Sequence, residues 1–193
     1  VLIFQSESPA LGVGSLSYIN QGKYPDNYRG TDGRGQSIKA AGCCDCSYAM
    51  IAMYLNRANF DIVSISRTYV SNNNFRGKDF LNSVGLKEDV RDGAYSASSV
   101  IGYLTEGLPV MLHISGKWVY NGITYHGSTN GHFLVIMGFD DVGFYVYDPG
   151  SNQNTTNGPI PYAAFSHVAG KSIRVISRKS TFMPHYLVNT YLD

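Results

Sequence analysis

The stretch Gly42-Cys43-Cys44-Asp45-Cys46-Ser47-Tyr48-Ala49-Met50, GCCDCSYAM, holds all three cysteines of the 193-residue chain and marks a change of texture in it. Upstream, the first forty residues are rich in Gly, Pro, Asn and Asp, and read as extended segments and turns rather than helix. From Cys43 to about Asn56, Tyr48, Ala49, Met50, Ile51, Met53, Tyr54 and Leu55 surround much of a helical wheel, with no Gly or Pro among them. That pattern predicts a buried central helix.

Downstream, FRGKDFLNSVG (75–85) predicts a short helix closed by Gly85. SASSVIGYLTEG (96–107) predicts another, with Ser96 or Ser98 as N-cap and Gly107 as its stop. The pattern then switches to strands. PVMLHI, KWVYNGITYHG, GHFLVIMGFD, GFYVYDP and SIRVISR are short, β-branched and aromatic, and are separated by Gly, Asn and Asp turns. PYAAF (161–165) predicts a helical turn before the last strand. Helices followed by a run of antiparallel strands imply an α+β fold, a helical half packed on a sheet half. Without repeats or linkers to divide it, the chain is expected to be a single domain over 1–193.

With 15 basic and 14 acidic residues, and no block of like charge, the chain offers no electrostatic reason to bind nucleic acid or a membrane surface. No apolar run is long enough to span a bilayer. The 21 glycines and 15 tyrosines suit a loop-rich surface able to meet sugars or peptides. The chain starts at Val1, as a mature form or an excised fragment would.

Four explanations compete for the crowded thiols. Zinc needs about four ligands, usually in two pairs, and the chain has one cluster, with Cys43 and Cys44 pointing to different faces of a helix. A vicinal or next-but-one disulfide would be strained. Packing suits Cys46, since a small buried thiol behaves as a hydrophobe. A sulfur just after Gly42, however, lies beside unpaired N–H groups and the positive end of the helix dipole, where the thiolate is favoured. A nucleophile then needs a base. Of the five histidines, His132 opens the strand GHFLVIMGFD after the turn STNG, and the turn DDVG should pair that strand with GFYVYDP, bringing Asp148 close. Thiol, imidazole and carboxylate make a nucleophile, its base and the group that orients the base.

These residues resemble the bacteriocin-leader-peptidase-like (peptidase C39-like) branch of the papain-like cysteine peptidases. The resemblance rests on GCCDCSYAM, LPVMLHI, GHFLVIMGFDD and YVYDPG, in that order, and runs from about Ser17 to Val175, with the core at about 17–176. It implies a papain-like fold whose central helix carries Cys43 as nucleophile, with His132 as general base and acid and Asp148 as the orienting acid. It also implies an upstream glutamine holding the oxyanion; YINQG offers Gln21, with Gln36 nearer and Gln5 farther. Cys44 competes with Cys43, because Cys44-Asp45 stands where the branch has a small pair, and Asp45 would raise a neighbouring thiol's pKa. No cofactor is implied.

Three functions are expected in turn. The first is a peptidoglycan hydrolase, such as a phage lysin or a bacterial wall endopeptidase or amidase, acting outside the cell or encoded by a phage. The second is a peptidase acting on proteins or leader peptides, and the third a non-catalytic module on the same scaffold. The partner is accordingly a peptide or peptidoglycan substrate, the protein a monomer, and Trp118, Tyr120 and Tyr125 are expected at the cleft edge.

Overall fold

A computed structural model describes residues 17–30, 35–92, 96–128, 130–150, 159–168 and 172–179. Along the chain, a 3-10 turn at Gln21–Lys23 precedes α1 (Ile38–Ala41), α2 (Cys43–Asn56) and α3 (Ile62–Tyr69). A small hairpin of β1 (Val70–Ser71) and β2 (Asn74–Phe75) leads into α4 (Gly77–Ser83), β3 (Leu86–Asp92) and α5 (Ala97–Thr105). Then come β4 (Val110–Ile114), β5 (Trp118–Tyr120), β6 (Ile123–His126), β7 (His132–Phe139) and β8 (Gly143–Tyr147). The last elements are β9 (Ile160–Pro161), α6 (Tyr162–Phe165) and β10 (Ser172–Arg178).

Six strands form one antiparallel sheet in the order β3-β10-β4-β7-β8-β9. Its central strands are apolar on both faces because both faces are covered. Met111, Val135, Met137 and Ile176 join the core built on α2, α3 and α4. Val110, Leu112, Ile114, Leu134 and Ile136 join a second core with α5, α6 and Trp118. Alternation along β4 and β7 thus divides one sheet between two helical layers.

The predicted helices are present, with Ser96 rather than Ser98 as the N-cap of α5. The α+β class holds. The expectation of extended segments and turns without helix in the first forty residues is corrected: Asn20 caps the 3-10 turn and Ser37 caps α1, both short and both started by side-chain acceptors. Two further elements lack a strong sequence signal. Residues 62–69 are β-branched and hydroxylic, yet Asp61 accepts from the N–H groups of Val63 and Ser64 and starts a helix there. β3 is a charged strand at the edge of the sheet, paired with β10 among the described residues.

Candidate active site

The cleft is assembled from the head of α2, the start of β7, the turn after β8 and the segment 17–24. Cys43 is the first residue of α2, half-buried, behind Gly42, which contributes no side-chain cap. Its sulfur therefore lies at the positive end of a 14-residue helix. The imidazole of His132 is nearly enclosed, and its Nε2 lies 2.7 Å from Oδ1 of Asp148. With Nε2 donating to the carboxylate, Nδ1 is the nitrogen left to take up a proton. Burial pushes the imidazole pKa down, but the bond to Asp148 and the neighbouring Cys43 thiol outweigh it and raise the value to about 10.

Asp148 is held from three directions. Gly150 N–H donates to its Oδ1 at 2.7 Å, and Tyr18 donates its hydroxyl to the Asp148 carbonyl at 2.6 Å. Gln21 N–H donates to the next carbonyl, that of Pro149, at 3.0 Å. The DPG turn is thereby tied to the segment that carries Gln21. A Cβ at position 150 would come within 3.0 Å of His132 Cε1 and 3.3 Å of Asp148 Oδ1, so glycine keeps this contact open. On the other side, the ring of His126 stacks on that of His132, with centroids 4.8 Å apart and planes 4° from parallel. His126 is oriented by donating from Nε2 to the Asn130 carbonyl at 3.2 Å. Neither Gly150 nor His126 was singled out by the sequence reading; the DPG turn and the TYHG end of a hairpin were the available signals.

The three thiols have different surroundings. Cys46 is fully buried in the core, and burial pushes its pKa well up. Burial does the same to the Cys44 thiol, reinforced by Asp45 and Cys43. Cys43, half-buried, lines the cleft with His132 and is one of the groups that raise the imidazole pKa. Asp45, expected to raise a neighbouring thiol's pKa, does so for Cys44 and Cys46, and is itself buried against Arg29: Nε donates to Oδ2 at 2.9 Å and Nη2 to Oδ1 at 2.8 Å. Ser66 adds a hydroxyl at 2.7 Å. This pair fastens the N-terminal segment and α3 to the base of α2.

Gln21 and Gln36 both line the cleft with Cys43 and His132, whereas Gln5 lies outside the described residues. The Gln21 amide donates to the Lys39 carbonyl at 2.8 Å, which leaves it a second N–H. Its Oε1 is buried without a hydrogen-bond partner among the described residues. The expected aromatic rim is corrected. Trp118 is buried, donating to the Ala164 carbonyl at 2.8 Å and packing on Tyr125 and Phe165. Tyr120 lies against His167. At the open end of the hairpin, where Trp118 pairs with His126, it is His126 that lines the cleft, followed by Ser128 and Asn130.

The Peptidase C39-like family model matches residues 18–170, which include every one of these cleft groups except Arg174. The chain belongs to the Peptidase C39-like family. A crystal structure from Bacillus anthracis, assigned as a C39-like peptidase, superposes on it with a TM-score of 0.54 at 15% identity, covering 88% of this chain and 98% of that one. At that identity the likeness speaks for the fold, a papain-like α+β arrangement. No curated protein matches the chain. Family and fold together indicate a C39-like cysteine peptidase.

Proposed function

We propose that this C39-like protein is a cysteine-dependent amide hydrolase acting on peptidoglycan, with Cys43 as nucleophile, His132 as base and acid, and Asp148 orienting the imidazole. The observation that carries the reading is the His132–Asp148 contact at 2.7 Å, with Cys43 at the head of α2 lining the same cleft as His132. Cys44 fits the role less well, since burial holds its thiol protonated.

In this reading the Cys43 proton rests on His132, giving a thiolate–imidazolium pair. Thiolate attacks the amide carbonyl, and the second N–H of Gln21, with the backbone N–H of Cys43, receives the oxyanion. His132 passes its proton to the leaving amine, a thioester remains on Cys43, and water activated by the now neutral imidazole releases the acid. Asp148 keeps the ring in the tautomer that faces sulfur.

For the substrate, support comes from the cleft of about 640 Å³, lined by the amides Gln36, Asn73, Asn74 and Asn130, with Phe75 and Phe133 beside them. Amide donors with flanking aromatic faces suit a chain of mixed sugar and peptide. Zymography on purified cell walls, wild type against Cys43→Ala, tests it: clearing by wild type alone supports it, and no clearing contradicts it. The family itself favours a second reading, a peptidase of proteins or leader peptides. Mass-spectrometric mapping of cleaved peptides, with walls left intact, would replace the first reading by the second. A folded protein that neither clears walls, cuts peptides nor labels at Cys43 would be a non-catalytic module.

A further inference from the structure

Among the described residues two arginines line the cleft, and no carboxylate does. They are spent differently. Arg29 gives its Nε and Nη2 to Asp45 as a two-pronged pair and its Nη1 to the Asn73 carbonyl at 3.3 Å. Arg174, on β10, gives Nη1 to the Tyr48 hydroxyl at 2.7 Å and to Glu88 Oε2 at 3.3 Å. Its Nε, buried, has no hydrogen-bond partner among the described residues, whereas Nε of Arg29 is held by Asp45. A guanidinium is a natural partner for a carboxylate.

The guanidinium is fixed rather than free to swing. Its carbon lies 5.4 Å from the centre of the Phe133 ring and 5.9 Å from that of Tyr48. Phe133 follows His132 in β7, and Tyr48 lies on α2 one turn beyond Cys44, so the arginine borders the proposed reaction centre. Tyr48 also donates to Glu88, which anchors the cluster from below. The Arg174 side chain is 26% exposed, Glu88 only 3%, so the cation meets the cleft and its counter-ion does not. With Nε unpartnered among the described residues and part of the side chain open to the cleft, this guanidinium is less fully spent than that of Arg29.

We propose that Arg174 forms a subsite that selects a peptide substrate with an acidic side chain next to the scissile bond, the carboxylate meeting the guanidinium where it faces the cleft. This rests on the peptidase reading of the cleft and adds the substrate's charge to it. Glu88 limits the strength of the subsite by holding part of the arginine's charge.

The test uses the whole protein and a set of peptidyl acyloxymethyl ketones, which alkylate a catalytic thiolate by displacing a carboxylate, with Glu or Gln at each of three positions beside the reactive carbon. Glu is expected to be favoured over Gln by about tenfold or more at one position. The double variant Arg174→Met/Glu88→Gln, which strands no buried charge, should lose the preference while iodoacetamide alkylates Cys43 at the wild-type rate. Arg174→Lys, which keeps the charge without the fork, should lose most of it, and Glu88→Gln alone should increase it. Equal rates for Glu and Gln at every position, or a preference that survives in the double variant, overturn the subsite and leave the peptidase reading standing. Alkylation of Cys43 by iodoacetamide with no reaction of any peptide probe overturns both.

Discussion

His132 Nε2 and Asp148 Oδ1 lie 2.7 Å apart, and the same oxygen accepts the Gly150 N–H at 2.7 Å. A carboxylate held this way has one oxygen aimed at the imidazole and little freedom to turn. Asp148→Asn keeps the shape and removes the charge, and should lower kcat/KM by about 100-fold or more, with far-ultraviolet circular dichroism unchanged.

The same contact sets a pH dependence. The His132 pKa is raised from 6.5 to about 10, so its imidazolium stabilises the folded state fully below about pH 6.5, and that contribution is lost as the pH rises through about 10. Thermal unfolding at a series of pH values should show Tm falling more steeply towards pH 10 for wild type than for Asp148→Asn. The alkaline limb of kcat/KM, reporting the coupled thiolate–imidazolium pair, should move to lower pH in the same variant.

Gly150→Ala places a methyl group 3.0 Å from His132 Cε1. Residue 150 is in a turn, so the damage should appear in chemistry rather than stability: kcat down by about tenfold or more for a displacement of a few tenths of an ångström, with KM little changed. A variant with wild-type kcat would show that the imidazole is not held against this turn.

Arg29 and Asp45 form a buried ion pair at 2.8 Å, with Ser66 on the same carboxylate. Arg29→Met should cost about 3–5 kcal/mol in urea unfolding, because Asp45 is left charged and unpaired. Arg29→Met/Asp45→Leu should regain most of that loss. Equal losses in the single and double variants would mean that the pair itself stabilises the fold.

The layout of the fold was legible wherever a local signal matched the tertiary outcome. GCCDCSYAM reads as a helix head because its apolar wheel is the face that α2 buries, and GHFLVIMGFD reads as a strand that is apolar on both faces. The β7–β8 hairpin followed from DDVG, where Asp140 accepts from the N–H groups of Val142 and Gly143. β3 was not legible, because LKEDVRD owes its strand to pairing with β10 rather than to its own composition. Trp118 misled because one aromatic side of its hairpin packs inward on α6 while His126 turns to the cleft. The Arg29–Asp45 and Arg174–Glu88 pairs join residues 16 and 86 positions apart, and no periodicity reports contacts at such separations.

Cys43, Cys44 and Cys46 lie within four consecutive residues, so the identity of the reactive thiol is open to direct measurement. Brief alkylation of the folded protein with one equivalent of iodoacetamide at pH 6, followed by fragment-ion sequencing of the peptide that carries all three, reads it out. The label is expected on Cys43, with Cys44 and Cys46 unmodified, and labelling is lost in His132→Ala. Label on Cys44 with Cys43 untouched would contradict it.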